Sequence, residues 1–257
     1  MIKILVTGAS GQLGSCLQKI APTFKTCQFY FKNSGELDIL NKKLVNSLFE
    51  KDKFDYCINC AAYTNVELAE KEPEKAFKVN AEGARNIALA CKKSQTGLVH
   101  LSTDYVFDGE KQGPYTIHDI PNPVNEYGKS KLLGEQYIKE VFANFLIIRT
   151  SWLYSEFGKN FYKTIIEKSK TEKILRVTDE QIGCPTNANN LAMHIVKKLT
   201  EKNINYGIEH FTDGYSSTWF DFAKKIVKDQ NLQDKVQLVK DRNYCTFVKR
   251  PINSVLI

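Results

Sequence analysis

No apolar run in this 257-residue sequence approaches 18 residues, so no segment is expected to cross a membrane as a helix. The opening Met1-Ile2-Lys3-Ile4-Leu5-Val6 enters a strand pattern directly and lacks the charged, apolar and small-residue order of a secretory signal. Seven cysteines is an odd number at irregular spacing, which argues against a secreted disulfide framework. Together these absences imply a reduced, cytoplasmic protein. No fixed repeat period appears, and no Gly/Ser-rich or Pro-rich linker divides the chain. The four histidines (His100, His118, His194, His210) show no metal-ligand spacing, and Gly-x-Ser-x-Gly is absent. Cys57-Ile58-Asn59-Cys60 has redox spacing, but it lies within an expected strand, where positions three apart face opposite ways. The net charge of +7 comes from lysines scattered as singles and pairs, with no basic block interleaved with aromatics. That distribution excludes a nucleic-acid partner.

Hydrophobic residues make up 42% of the chain and charged residues 25%, the balance of a globular protein of one large or two small domains. Short apolar runs at Lys3–Thr7, Thr26–Phe31, Phe54–Cys60, Gly97–Ser102 and Phe145–Arg149 predict strands. Helical patterns near Gln12–Ile20, Lys42–Lys51, Pro73–Lys93 and Glu126–Val141 separate them. Strand-helix alternation of this kind implies βαβ units and a parallel sheet covered on both faces. The expected fold is α/β, a doubly wound, Rossmann-like parallel sheet with a smaller C-terminal substrate-binding lobe. Helices at Phe161–Lys170, Ala188–Leu199 and Thr218–Lys228, with strands at Ile174–Val177 and Gly207–Thr212, follow an altered rhythm. Residues 1–153 are assigned to the dinucleotide-binding domain, with 186–203 packing back onto it. Residues 154–185 and 204–257 are assigned to the smaller lobe.

Thr7-Gly8-Ala9-Ser10-Gly11-Gln12-Leu13-Gly14 follows the first strand and opens the first helix. Gly8, Gly11 and Gly14 allow a tight turn, close approach to a pyrophosphate and close helix–strand packing, while the helix N-terminus at Gln12 and Leu13 attracts phosphates. The acid that usually binds an adenosine ribose is missing at the end of the second strand. Phe31 and Lys32 stand there instead, and Lys32 can meet a 2′-phosphate, favouring NADPH with NADH still possible. An ordinary solvated lysine is the other reading. Tyr127-Gly128-Lys129-Ser130-Lys131 is the one Tyr-x-x-x-Lys in the chain, on one face of an expected helix. A neighbouring ammonium is expected to lower the phenol pKa towards a useful range. The strand ending at His100-Leu101-Ser102-Thr103 brings hydroxyls to the carboxyl edge of the sheet, where ligands bind in such folds.

Glycine-rich turn, strand-end hydroxyl and Tyr-x-x-x-Lys together resemble the extended short-chain dehydrogenase/reductases. That resemblance implies Tyr127 as proton donor, Lys131 as the residue holding the nicotinamide ribose, and Thr103 as the hydroxyl positioning the substrate oxygen. Asn80 matches the helix asparagine that often completes the set, and a structural helix residue is its equal alternative. Four further stretches are more particular: Asn59-Cys60-Ala61-Ala62-Tyr63-Thr64-Asn65-Val66, Leu101-Ser102-Thr103-Asp104-Tyr105-Val106-Phe107-Asp108-Gly109, Arg149-Thr150-Ser151-Trp152-Leu153-Tyr154, and Asp179-Glu180-Gln181-Ile182-Gly183-Cys184-Pro185-Thr186. With Thr218-Trp219-Phe220-Asp221 and Lys249-Arg250-Pro251, they are similar to the dTDP-4-dehydrorhamnose reductases. The resemblance implies reduction of a nucleotide-linked 4-keto-6-deoxysugar. It implies cofactor contacts from Cys60, Ala61 and Ala62, and adenine contacts from Asp38 and Ile39. It also implies substrate contacts from Asp104, Tyr105 and Trp152, with Val66, Asn160 and Arg250 as weaker pocket residues. Related 4,6-dehydratases carry Asp-Glu after the threonine; here Tyr105 replaces the glutamate. The competing readings are a reductase of another such sugar and a regulatory binding subunit like the β subunit of methionine adenosyltransferase. Some relatives form homodimers through a divalent ion, which leaves a homodimer and a metal open. Relatives usually continue beyond Ser254 through another helix, so on the resemblance the substrate lobe ends early at Ile257, either because the protein is naturally short or because this C-terminus is incomplete.

Overall fold

The computed structural model describes residues 1–201, 204–243 and 246–257. In chain order come β1 (Ile2–Thr7), α1 (Gln12–Ile20), β2 (Cys27–Lys32), α2 (Lys42–Lys51), β3 (Tyr56–Asn59), α3 (Val66–Lys71) and α4 (Pro73–Phe77). They are followed by α5 (Ala84–Ser94), β4 (Gly97–Thr103), α6 (Glu126–Val141), β5 (Phe145–Thr150) and β6 (Leu153–Tyr154). The remainder holds α7 (Phe161–Lys168), β7 (Ile174–Val177), β8 (Ile182–Gly183), β9 (Thr186–Asn187), α8 (Ala188–Thr200), β10 (Gly207–His210), β11 (Ser217–Thr218), α9 (Trp219–Asp229) and β12 (Gln237–Lys240).

Six strands pair in the order β10-β5-β4-β3-β1-β2, every neighbour parallel. Chain direction reverses its march across the sheet at β1 and β3, which opens a crevice at their carboxyl ends. Strand parity sorts the apolar residues between two cores. Ile4, Val6, Ile58, Val99, Leu146 and Ile148 pack under α1 and α8. Leu5, Cys57, Leu98 and Ile147 pack under α2, α5 and α6. A third cluster joins α7, β7 and α9 through Ile165, Leu175, Phe220, Phe222 and Ile226. The parallel β7–β12 pair lies beside it.

The structure corrects or refines three expectations. First, the helix expected over Pro73–Lys93 is present but widens inside, running from α4 through a π-helical turn at Lys78–Gly83 into α5. The turn carries Asn80 to α6, where its amide donates to Ser130 Oγ at 2.9 Å. Close packing there needs Gly134, since a Cβ at that position would lie 2.2 Å from the Asn80 carbonyl. Second, β10 belongs to the large sheet beside β5, inside the 204–257 span assigned to the smaller lobe. Ile208 turns into the α2/α5 core and so holds the strand to the sheet. Third, the stretch from Asp179 to Thr186, to which no strand or helix is assigned above, holds two short pairings, β8 with β11 and β9 with β6. The lobe boundary near residue 203 and the seventh cysteine, Cys245, lie outside the described residues; the other six cysteines are free.

The C-terminal segment crosses back over the sheet. Tyr115 N–H donates to the Val255 carbonyl at 2.7 Å, and Ile182 N–H donates to the Ile252 carbonyl at 2.8 Å. Beneath it lies a buried ion pair. Arg149 of β5 donates to Glu135 of α6 through Nε at 2.9 Å and Nη2 at 2.7 Å. Ser102 of β4 donates to the same carboxylate at 2.5 Å. Side-chain exposure is 1% for Arg149 and 0% for Glu135. Removing one partner of such a pair leaves an uncompensated buried charge. Glu135→Ala is therefore expected to cost about 3–5 kcal/mol in urea unfolding. A loss under about 1 kcal/mol, the range of an exposed pair, would show that the pair does not hold α6 to the sheet.

Candidate active site

A cavity of about 480 Å³ opens at the carboxyl ends of β1, β3, β4 and β5. At its β1 side, Gly8 has φ +64°, and a Cβ there would lie 2.6 Å from the Ala61 nitrogen. A Cβ on Gly14 would meet the Gly8 and Ala9 carbonyls at 2.6 Å, so only glycine lets α1 approach β1 this closely. Helix α1 starts at Gly11 with no side-chain cap. Its first-turn amides at Gln12, Leu13 and Gly14 consequently have no helical acceptor and are available to an anion. Gly11, Gln12 and Leu13 line the cavity. Bare amides at an uncapped helix start, with the glycine clearances, fit the pyrophosphate of a nicotinamide dinucleotide.

Thr103 ends β4, and Tyr127 and Lys131 stand one turn apart on α6, which Asn125 caps by accepting from Gly128 N–H at 2.8 Å. All three line the cavity. Burial pushes the Tyr127 phenol up to about 12; a hydrogen bond with Thr103 pulls against this and the charge of Asp104 adds to it. This reverses the direction expected from the Tyr-x-x-x-Lys spacing. Lys131 turns its ammonium to the Leu101 carbonyl, and burial dominates at the phenol. Tyr127 is thus a protonated donor at neutral pH. Burial also pulls Lys131 down to about 8, with Glu135 one turn further on resisting the fall.

Asp104 is 2% exposed, and burial holds its carboxyl up at about 6 against hydrogen bonds with Ser254, Thr103 and Ser151. Thr103 Oγ1 donates to Asp104 Oδ1 at 2.9 Å. Tyr105 packs edge-on against Tyr127, ring centroids 5.8 Å apart. Val66, Asp104, Tyr105, Trp152, Asn160 and Arg250 all reach the cavity, as do Cys60 and Ala62. Asn160 caps α7 and donates to Gln12 Oε1 at 2.7 Å, tying the third cluster to the glycine-rich turn. Arg250 donates to Glu67 Oε1 at 2.9 Å. Cys60 packs towards the α1/α8 core while Cys57 is buried on the opposite face, so the pair is not a redox couple.

Other expected residues lie outside the cavity lining. Lys32 closes β2 in register with Thr7, 3.8 Å from Glu36. Asp38 is exposed and accepts from Leu40 N–H, whereas the Ile39 side chain is buried in the core against Gly83. Gly8, Gly14 and Ala61 act behind the cavity as backbone spacers. Asn80 accepts from Tyr63 N–H at 2.8 Å and donates to the Tyr63 carbonyl and Ser130, which makes it a brace. Trp219, Phe161, Lys159 and Ser151 line the cavity without having been singled out as site residues. Among the described residues no group of three His, Cys, Asp or Glu side chains can hold a metal ion. No helix there is long and apolar enough to cross a membrane.

Residues 2–257 match the family described as RmlD substrate binding domain. The chain belongs to the dTDP-4-dehydrorhamnose reductase family. It is 39% identical to the dTDP-4-dehydrorhamnose reductase of Aggregatibacter actinomycetemcomitans, over 100% of this chain and 90% of the relative. Two crystal structures of dTDP-4-dehydrorhamnose reductases align over the whole chain. One, from Clostridium acetobutylicum, has a TM-score of 0.94 at 40% identity and is covered to 90%. The other, from Bacillus anthracis in complex with NADP, has a TM-score of 0.95 at 38% identity and is covered to 91%.

Nicotinamide-dependent turnover in this member of the dTDP-4-dehydrorhamnose reductase family should fall as pH rises through about 8. Lys131 is charged below that point and neutral above it, while Tyr127 stays protonated. Lys131→Arg keeps its charge throughout and should carry the plateau well past the wild-type limb in a pH–rate profile. An unshifted limb in that variant would assign the titration to another group.

Proposed function

We propose that the chain catalyses NADPH-dependent reduction of the C4 ketone of dTDP-4-dehydro-β-L-rhamnose to dTDP-L-rhamnose, supplying a nucleotide sugar for surface polysaccharide. One observation carries this reading: a protonated Tyr127 phenol, bonded to Thr103, lines the same cavity as the uncapped glycine-rich helix start. When bound, the nicotinamide supplies hydride to the ketone carbon. Reduction leaves an alkoxide, which needs a proton and a hydrogen-bond donor during charge development. Tyr127 provides the proton, and Thr103 orients the ketone oxygen by donating to it in place of Asp104. Lys131 holds a ribose hydroxyl through its ammonium and makes the proton loss from Tyr127 less costly in the loaded site. Gln12 and Leu13 amides hold the pyrophosphate, and Lys32, at the end of β2, faces the 2′-phosphate in preference to Glu36.

Tyr105, Trp152 and Val66 supply apolar surface for the deoxysugar, and Arg250 a cation for its diphosphate. Retention of the full proton-transfer set in one cavity supports an enzyme over a regulatory binding subunit. The six free thiols among the described residues support a cytoplasmic site of action. Tyr127→Phe should retain NADPH binding and lose about 10²–10⁴-fold in kcat with the 4-keto sugar nucleotide, the usual cost of removing an acid catalyst. A kcat near wild type would sink the assignment.

A further inference from the structure

The Asp179–Thr186 stretch and the start of α9 both stand out in the sequence, and the proton-transfer chemistry uses neither. They meet behind one wall of the cavity, where both contact the tryptophans that line it. Trp152 and Trp219 stack face to face, ring centroids 3.4 Å apart and planes 5° apart. Both indoles line the cavity. Trp152 follows β5 of the main sheet and Trp219 opens α9 of the third cluster, so the stack spans the two halves of the site.

Trp152 has φ +45°, a left-handed conformation that a bulky side chain adopts only when its surroundings impose it. Those surroundings are the Asp179–Thr186 stretch. Cys184 N–H donates to Ser151 Oγ at 3.1 Å, and Thr186 N–H donates to the Trp152 carbonyl at 3.3 Å. Gly183 leaves room for the indole, since a Cβ there would lie 2.5 Å from its ring atoms. Trp219 is fixed in turn: its Nε1 donates to Gln181 Oε1 at 3.0 Å, and Phe161 packs on it at 4.5 Å. Strain concentrated at a cavity wall, with a second indole clamped to hold it, is the arrangement of a preorganised binding surface.

We propose that Trp219 is a positioning residue for the sugar nucleotide: by stacking on Trp152 it holds that indole over the cavity, where the apolar face of the deoxysugar packs. The proposal rests on the reductase reading for the identity of the sugar. These are the chain's two tryptophans, so its indole signals report on this stack directly. Trp219→Leu should raise KM for the 4-keto sugar nucleotide about tenfold, Trp219→Phe less, in line with the loss of one aromatic pair. In both, kcat and KM for NADPH should stay within about twofold, and the exciton-coupled circular dichroism of the indole pair should vanish. An unchanged KM for the sugar nucleotide, or an equal rise for NADPH, overturns the proposal. Wild-type protein provides a test independent of variant folding. Saturating dTDP-L-rhamnose should alter the indole signal and NADPH alone should not; an unaltered signal overturns the proposal. Absent turnover of the 4-keto sugar, with an intact indole response to dTDP-L-rhamnose, would reject the reductase reading and sustain the role of Trp219.

Discussion

One buried carboxylate sets the floor of the site. Glu135 takes two hydrogen bonds from Arg149 and one from Ser102, with no exposure to water. It thereby joins α6, β5 and β4, the three elements whose ends carry Tyr127, Thr150 and Thr103. Lys131 lies one turn before Glu135 on the same helix face, so a single anion offsets two buried cations. A buried pair of this kind adds little to stability beyond an apolar replacement, but it tolerates no loss of one partner. Its consequence is geometric: α6 has one rotational setting on the sheet, and that setting points Tyr127 and Lys131 into the cavity. The Arg149 guanidinium also lies over the Phe107 ring at 5.2 Å, linking the pair to the loop that receives the C-terminal segment.

Much of this was legible in the sequence, for physical reasons. A doubly wound parallel sheet buries whole strands, and the apolar runs of β1, β3, β4 and β5 announce themselves. Short motifs whose members sit within one helical turn, such as Tyr127 and Lys131, survive translation into structure because local geometry alone brings them together. Strand β10 was legible as a strand over Gly207–Thr212, but its place in the large sheet was not, since Gly207-Ile208-Glu209-His210 contains one aliphatic residue and takes its place by pairing with β5. The π-type turn at Asn80 was invisible because it packs against Gly134 of a helix distant in sequence. Arg149 with Glu135, and Trp152 with Trp219, pair across elements whose approach no spacing rule encodes. The direction of the Tyr127 shift was misread for the same reason. A sequence shows the neighbouring lysine and conceals the burial that outweighs it.

The net charge of +7 also finds a plainer place. Lys131, Lys159 and Arg250 line the cavity, and many other lysines pair with surface carboxylates. Cationic walls of this kind raise the local concentration of anionic ligands, which suits the two diphosphates of the proposed reaction. Lys32 and Asp38 stand outside the cavity lining, whereas Tyr127 and Lys131 line it.

The central claim is that this cavity delivers hydride to the sugar carbon and a Tyr127 proton to its oxygen. Transfer from NADPH deuterated at the reactive C4 position tests it most directly, using the purified chain and dTDP-4-dehydro-β-L-rhamnose. Mass spectrometry and NMR of the product should find dTDP-L-rhamnose carrying one deuterium at sugar C4, with one NADPH consumed per product. Product without deuterium at that carbon, or cofactor left unoxidised by saturating sugar nucleotide, would contradict the account.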